Sequence, residues 1–145
     1  MPQTYSFIDT DIILQHPLKG QVSCTGQGLG SVTVDYTDNN TESDIGADGN
    51  VMISRVTSHR GTVTVECQQT SNVNAWLVDL ANQVDAADAS QWAQMAILIK
   101  ERFDNGLKIT CTGCSRVKRP SRKDAQTGDK VSWDLFSANI IEEVA

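Results

Sequence analysis

The chain has 145 residues and a net charge of −6, with 39% apolar and 21% charged residues. This length supports a real hydrophobic core, and we expect residues 1–145 to fold as a single domain. The acidic balance argues against a general nucleic-acid binder, which needs clustered Lys and Arg. No apolar run reaches the roughly 18 residues of a membrane span, and the first residues lack the pattern of a signal peptide. We therefore expect synthesis in a cytoplasm and no membrane partner.

Short segments with β-type alternation recur along the chain and are separated by glycine-containing turns. Val63, Val65 and Cys67, for example, alternate with polar residues, as in a strand with one buried face. The Asn105-Gly106 pair between two such segments is typical of a tight hairpin. The predicted strands are 11–15, 21–25, 31–37, 51–57, 62–69, 93–100, 107–115 and 131–141.

One helix is predicted, over residues 72–84. Ser71 occupies the N-cap position, where its hydroxyl can accept a hydrogen bond from the first turn. Apolar residues then follow at helical spacing, with polar residues on the opposite face. They are Trp76, Leu77, Leu80, Ala81 and Val84. The chain is thus predicted to be mostly β with one main α-helix, as a β-sandwich or a partly rolled barrel.

Two long polar segments, 38–50 and 118–130, interrupt the strand pattern and are predicted to be loops. Loops of this length are uncommon in compact domains unless they bind something or are disordered. Six basic and two acidic residues give 116–130 a charge of +4, against −10 for the remaining chain. This segment is either a solvated basic loop or a docking surface for an acidic partner.

No catalytic or metal-binding constellation stands out. Cys111 and Cys114 form a CxxC without a second pair, and in an extended strand they would point to opposite faces. We therefore expect no enzymatic activity, no metal and no cofactor. Disulfide bonds are the alternative if the protein leaves the cell. The cysteines are interpreted as small buried hydrophobic residues: Cys24, Cys67, Cys111 and Cys114.

Residues 46–81 resemble the core of the tail tube proteins of contractile-tailed bacteriophages. The corresponding motifs are the GADG turn, the GTVTV strand, the QTS helix start and the LxxLA helix, in this order. The likeness extends over most of the chain and includes the opening YSFIDTDIIL and the closing strand with Trp133. The four cysteines and the basic segment depart from the family pattern.

The resemblance implies a ring-forming β-sandwich with a flanking helix, similar in fold to the hemolysin-coregulated tube protein of type VI secretion. It implies a non-enzymatic virion subunit that forms a homo-hexamer and stacks into a tube inside a contractile tail sheath. Double-stranded DNA would pass through this tube without sequence-specific binding, and assembly would occur in the bacterial host cytoplasm. A monomeric β-sandwich that binds a peptide or a carbohydrate is the alternative.

Three groups of residues are candidates for assembly contacts. A self-association loop is expected within 38–50, at Asp38, Glu42, Asp44, Gly46, Asp48 and Gly49. The polar faces of two predicted strands are expected to line the lumen, through Thr33, Asp35, Thr64 and Glu66. The basic segment is expected to dock on the sheath or on the next ring, through Arg119, Arg122 and Lys123.

Overall fold

The computed structural model describes residues 4–24, 28–102 and 106–144. In these ranges nine strands and one α-helix follow one another, with short 3₁₀ turns at Phe7–Asp9 and Ala89–Gln91. The helix α1 spans Asn72–Ala86. None of the helices in these ranges has the length and hydrophobicity of a membrane-spanning helix. The strands are β1 (Thr10–His16), β2 (Gly20–Ser23), β3 (Leu29–Tyr36), β4 (Thr41–Ile45), β5 (Val51–Arg55), β6 (Gly61–Gln68), β7 (Met95–Glu101), β8 (Leu107–Arg116) and β9 (Lys130–Val144).

Seven of these strands form one antiparallel sheet in the order β2-β1-β7-β8-β9-β6-β3. The sheet curls into a half-barrel, so the mostly β prediction is confirmed in its partly rolled form. Cys24, just after β2, and Cys67 of β6 are buried in the same core, although β2 lies at one edge of the sheet and β6 near the other. Thr25 and Asn105, at one predicted strand end and in the predicted tight hairpin, lie outside the described residues.

One face of the sheet packs with α1 to form the hydrophobic core. Every second residue of β6 is buried, as its alternating pattern predicts. Full burial of an aliphatic side chain contributes about 1.5–3 kcal/mol relative to exposure. The core residues with at most 2% exposure include Ile12, Leu14, Val63, Val65, Val73, Leu77, Leu80, Ile97, Trp133, Leu135 and Ile140.

The start of α1 confirms the predicted cap. Ser71 Oγ accepts a hydrogen bond from the backbone N–H of Asn74 at 3.1 Å. Asn74 itself is buried, and hydrogen bonds offset the cost of burying its amide. Its Nδ2 donates to the carbonyl of Gln69, and its Oδ1 accepts from the indole of Trp133. Trp76 is only partly buried. The apolar spacing does not reveal Asn74 as a core residue, since its burial depends on partners distant in sequence.

The prediction that 38–50 is a loop is wrong for its central part. Thr41–Ile45 forms β4 and pairs in antiparallel register with β5, which is Val51–Arg55. Every residue of both strands is exposed. Strands are predicted from the alternation that a buried face imposes, and β4 has no such face. Residues 41–55 therefore form a two-stranded hairpin, which we call the arm.

A glycine turn closes the arm. Gly49 has a φ of +89°, and its N–H donates to the carbonyl of Gly46 at 3.0 Å. Gly46, at the start of the turn, has no positive φ. A β-carbon is costly in this left-handed region, which explains the glycine there.

The two cysteines of the CxxC both point into the core, and the prediction of opposite faces is wrong. Cys111 and Cys114 have no exposed surface, while Gly113 between them has a φ of +64°. This conformation breaks the strict alternation of β8 and returns the second cysteine to the buried side. The prediction of burial is confirmed for all four cysteines, which are free thiols.

Candidate assembly surfaces

The arm joins the sheet through two short segments that are held together by side chains. Asp38 Oδ2 accepts hydrogen bonds from Arg60 Nε and Ser58 Oγ, each at 2.6 Å. Asp38 Oδ1 accepts a further hydrogen bond from Arg60 Nη2 at 3.0 Å. The guanidinium and then the hydroxyl lower the pKa of Asp38 to about 2. We call these three residues the root clamp. Asp38 is thus engaged within its own chain.

The two faces of the arm differ in chemistry. Because directly paired residues share a face, Ile45, Val51 and Ile53 lie together on one side. These side chains are exposed by 69%, 59% and 72%, respectively. Ser43, the partner of Ile53, and the Thr41–Arg55 pair near the root lie on the same side. Glu42 and Asp44 lie on the other side, with Met52 and Ser54 as their paired residues. A two-stranded hairpin is marginally stable alone in water, and an exposed apolar face marks an interaction surface.

The other predicted self-association residues lie along this arm. Glu42 and Asp44 form no ion pair within the described part of the chain. Asp48 lies in the turn, where its Oδ1 accepts a hydrogen bond from the N–H of Asn50 at 3.1 Å. The prediction missed the apolar side of the arm, because its signal in the sequence was a run of only three apolar residues, 51–53.

The sheet face opposite α1 brings the four lumen candidates together. Thr33 of β3 lies directly opposite Thr64 of β6. Asp35 and Glu66 lie on the same face, because each is two residues from one member of that pair. Thr33 and Asp35 are exposed, whereas Thr64 and Glu66 are partly exposed. The core contains none of the four.

Two residues of β9 extend this polar face and were not predicted as site residues. Asp134 Oδ1 accepts a hydrogen bond from Thr64 Oγ1 at 3.0 Å. Lys130 Nζ lies 3.6 Å from Glu66 Oε1. The alternation of Asp134 with Trp133 and Leu135 was the available signal for this placement. The face therefore includes the carboxylates of Asp35, Glu66 and Asp134 and the ammonium of Lys130.

The first part of the basic segment is fastened to α1. Arg116 donates to Asp85 and stacks over the ring of Trp92, with its guanidinium carbon 4.7 Å from the ring centre. Arg119 Nη2 donates to Asp85 Oδ2 at 2.8 Å and to Asn82 Oδ1 at 3.0 Å. Hydrogen bonds from Arg116 and then Arg119 lower the pKa of Asp85. Arg119, a predicted docking residue, is therefore bound to its own helix.

The second part of the segment also has internal partners. Arg122 Nε lies 3.2 Å from Asp124 Oδ1, and the amide of Gln69 donates to the backbone carbonyl of Lys123 at 3.1 Å. The side chains of Lys118 and Lys123 are exposed and form no ion pair within the described residues. These two lysines carry the unpaired positive charge of the segment.

The buried thiols have low reactivity. Burial raises the pKa of Cys24 and of Cys111 to about 12, and that of Cys114 to about 11. A thiol with such a pKa is protonated at neutral pH and is a poor nucleophile. Among the described residues, no group of three or more His, Cys, Asp or Glu side chains is placed to hold a metal ion.

The curled sheet with one helix is a fold found in contractile injection systems. A chain of the anti-feeding prophage cap, which terminates the tube, matches with a TM-score of 0.65 and 13% identity over 100% of this chain and 95% of that chain. A chain of the sheath/tube terminator of the extracellular contractile injection system PVC matches with a TM-score of 0.64 and 9% identity, covering 99% of each chain. A chain of the PVC sheath-tube complex gives a TM-score of 0.61 and 12% identity over 98% of this chain and 93% of that chain.

The family of the bacteriophage PhiTE tail tube protein matches residues 2–144. The chain belongs to this family and is a structural component of a virion tail tube. No curated protein sequence matches it significantly.

Proposed function

We propose that the chain forms hexameric rings that stack into the tube of a contractile phage tail and conduct double-stranded DNA. The observation that carries this proposal is the open sheet, whose edge strands β2 and β3 have no outer partner within the described chain. Exposed edges favour pairing with another chain, and closure into a ring removes them. Six half-barrel sheets side by side would form a continuous wall.

The arm makes the contact between successive rings or adjacent subunits. Its apolar side, formed by Ile45, Val51 and Ile53, is covered by a second copy of the chain. Burial of this side would contribute about 25 cal/mol per Å² of apolar surface. Glu42 and Asp44 lie at the margin of this contact.

The polar face of the sheet lines the lumen. Thr33, Asp35, Thr64 and Glu66 repeat six times per ring in this arrangement, and Asp134 adds a further carboxylate. The excess of negative charge repels DNA phosphates, so the DNA slides through without binding.

Apart from Lys130 on the polar sheet face, the basic segment faces outward and docks on acidic groups of the sheath or of the next ring. Lys118 and Lys123 make these contacts. Basic residues that also have an acidic partner within the chain, such as Arg122, contribute to them. A single exposed ion pair contributes only about 0–1 kcal/mol, but repetition along a tube makes docking cooperative. Assembly takes place in the host cytoplasm, where the sheath is also available.

The arm provides the experiment that tests this proposal. Ile53→Ser and Val51→Ser place polar side chains on the apolar side of the arm, and Met52→Ser is the matched control on the opposite side. Wild-type protein and the control should form tubes in negative stain, whereas the two arm variants should remain folded and form short tubes or single rings. A wild-type protein that stays monomeric at high concentration would contradict the proposal and favour a monomeric binding module.

A further inference from the structure

The arm and the β3–β6 hairpin form one long ribbon that is interrupted at its root. The ladder of β3 and β6 ends at the Tyr36–Gly61 pair, and the ladder of the arm begins at the Thr41–Arg55 pair. Four residues, 37–40, connect the ladders on one side and five residues, 56–60, on the other. Unequal connections cannot continue a regular ladder, and such an extra residue bends a ribbon. The root is therefore the place where the direction of the arm is set.

Several contacts fix this bend. Arg60 binds both carboxylate oxygens of Asp38, and Ser58 donates to one of them. Asn40 Nδ2 donates to the carbonyl of Val56 at 3.1 Å, and the N–H of Val56 donates back to the carbonyl of Asn40 at 2.8 Å. A bidentate guanidinium–carboxylate pair has a defined planar geometry, unlike a single charge contact.

We propose that the root clamp of Asp38, Ser58 and Arg60 fixes the direction of the arm in the free subunit, so that the arm meets a second copy preorganised. This inference rests on the proposed role of the arm in stacking. The three clamp residues are positioning residues, because their polar atoms face one another across the root. Asp38 thus acts on assembly through the arm and not by touching a neighbouring subunit. Preorganisation lowers the ordering cost of association, so the clamp acts on the rate of assembly.

The exposure of the clamp separates this role from fold stability. The side chains of Arg60 and Asp38 are exposed by 53% and 28%. An ion pair as exposed as this adds little to global stability. Loss of the clamp should therefore leave the core folded while the arm gains freedom.

The test compares clamp variants with matched control variants outside the arm in the purified full chain. Asp38→Asn and Arg60→Gln each remove the ion pair. Arg60→Lys keeps the positive charge but cannot form the bidentate contact. The double variant Asp38→Arg with Arg60→Asp swaps the two charges and restores a pair. The controls Asp79→Asn and Lys19→Gln make the same charge changes at an ion pair outside the arm. Amide hydrogen exchange of residues 41–55 is measured on subunits at a concentration below assembly. Tube growth is followed by light scattering, and thermal unfolding reports the core.

Asp38→Asn and Arg60→Gln should speed arm exchange and slow tube growth by about two- to fivefold, the range expected for the loss of an exposed ion pair. For Arg60→Lys, both arm exchange and tube growth should lie between those of these variants and wild type. The charge-swapped double variant should partly restore slow arm exchange and fast tube growth. The unfolding midpoint should not change. Unchanged arm exchange in both pair-removing variants would overturn the inference, as would a looser arm with wild-type growth. If the wild-type chain forms no tube, the proposed function fails, and arm exchange by itself decides whether the clamp orders the arm.

Discussion

The indole Nε1 of Trp133 donates a hydrogen bond to Asn74 Oδ1 at 3.1 Å and thereby joins β9 to α1 inside the core. Asn74 also satisfies the carbonyl of Gln69. Asn74→Ala leaves both of these groups without their partner. We expect a loss of about 2–4 kcal/mol in the free energy of unfolding, because unsatisfied buried groups keep their full desolvation cost. Urea denaturation followed by tryptophan fluorescence measures this loss.

Asn82→Ala is the control for that prediction. Asn82 lies on the exposed side of the same helix and accepts a hydrogen bond from Arg119. Its replacement should change the free energy of unfolding by no more than about 0.5 kcal/mol. Equal losses of unfolding free energy in the two alanine variants would show that the buried hydrogen bonds of Asn74 contribute no more than an exposed one.

The four buried thiols should resist modification in the folded chain. Cys24 and Cys111 are held protonated by burial, which raises the pKa of each to about 12. Ellman's reagent should therefore react with the thiols only as fast as the protein opens, and with all four after denaturation in guanidinium. Rapid stoichiometric reaction of any of these cysteines in native buffer would contradict the burial described above.

Asp38 should give the root clamp a defined pH dependence. Arg60 lowers the pKa of Asp38 to about 2 in the folded chain, whereas an unfolded Asp titrates near 3.9. Because the folded pKa is the lower one, ionised Asp38 stabilises the root clamp fully above about pH 4, and this stabilisation is lost as the pH falls toward 2. Carboxyl-carbon NMR of Asp38 measures this titration.

Arg60→Gln provides the comparison for the titration. Removal of the guanidinium takes away the largest cause of the lowered pKa, so the pKa of Asp38 should rise toward its ordinary value. Identical titration of Asp38 in the wild type and in Arg60→Gln would mean that the pair does not form in solution.

Lys118 and Lys123 should carry the docking function of the basic segment. Their joint change to Glu should weaken binding of the sheath, or stacking of rings, at moderate salt while the subunit stays folded. The paired change of Arg102→Gln with Asp11→Asn removes an exposed ion pair outside the segment, with one charge of each sign, and serves as the control. Co-sedimentation of preformed tubes with sheath protein over a salt series measures the effect. Normal sheath binding by the lysine variant would assign docking to another surface.

The sequence predicts those parts of the fold that a buried face dictates. Val63 and Val65 of β6 alternate with polar residues because one side of that strand meets the core, and Ser71 marks the helix start because free amides follow it. The arm strand β4 escapes prediction because both of its faces are exposed. Asn74 escapes it because the partners that permit its burial come from distant segments.

The assembly surfaces show the same limit. The alternation that places Thr33 and Asp35 on one face is local, so the polar sheet face follows from the sequence. Asp38 and Arg60 are 22 residues apart in the chain, and the residues around each of them do not predict that they pair. The charge of the basic segment is visible in the sequence, but the binding of Arg119 to α1 depends on tertiary contacts.

Cryo-electron microscopy of the assembled tube tests the central claim most directly. We expect rings of six subunits in which β2 of one subunit lies beside β3 of the next. Thr33 and Asp35 should face the lumen, α1 should face outward, and each arm should cover its apolar side against a second copy. A tube whose lumen is lined by α1, or a protein that never forms rings, would contradict this account.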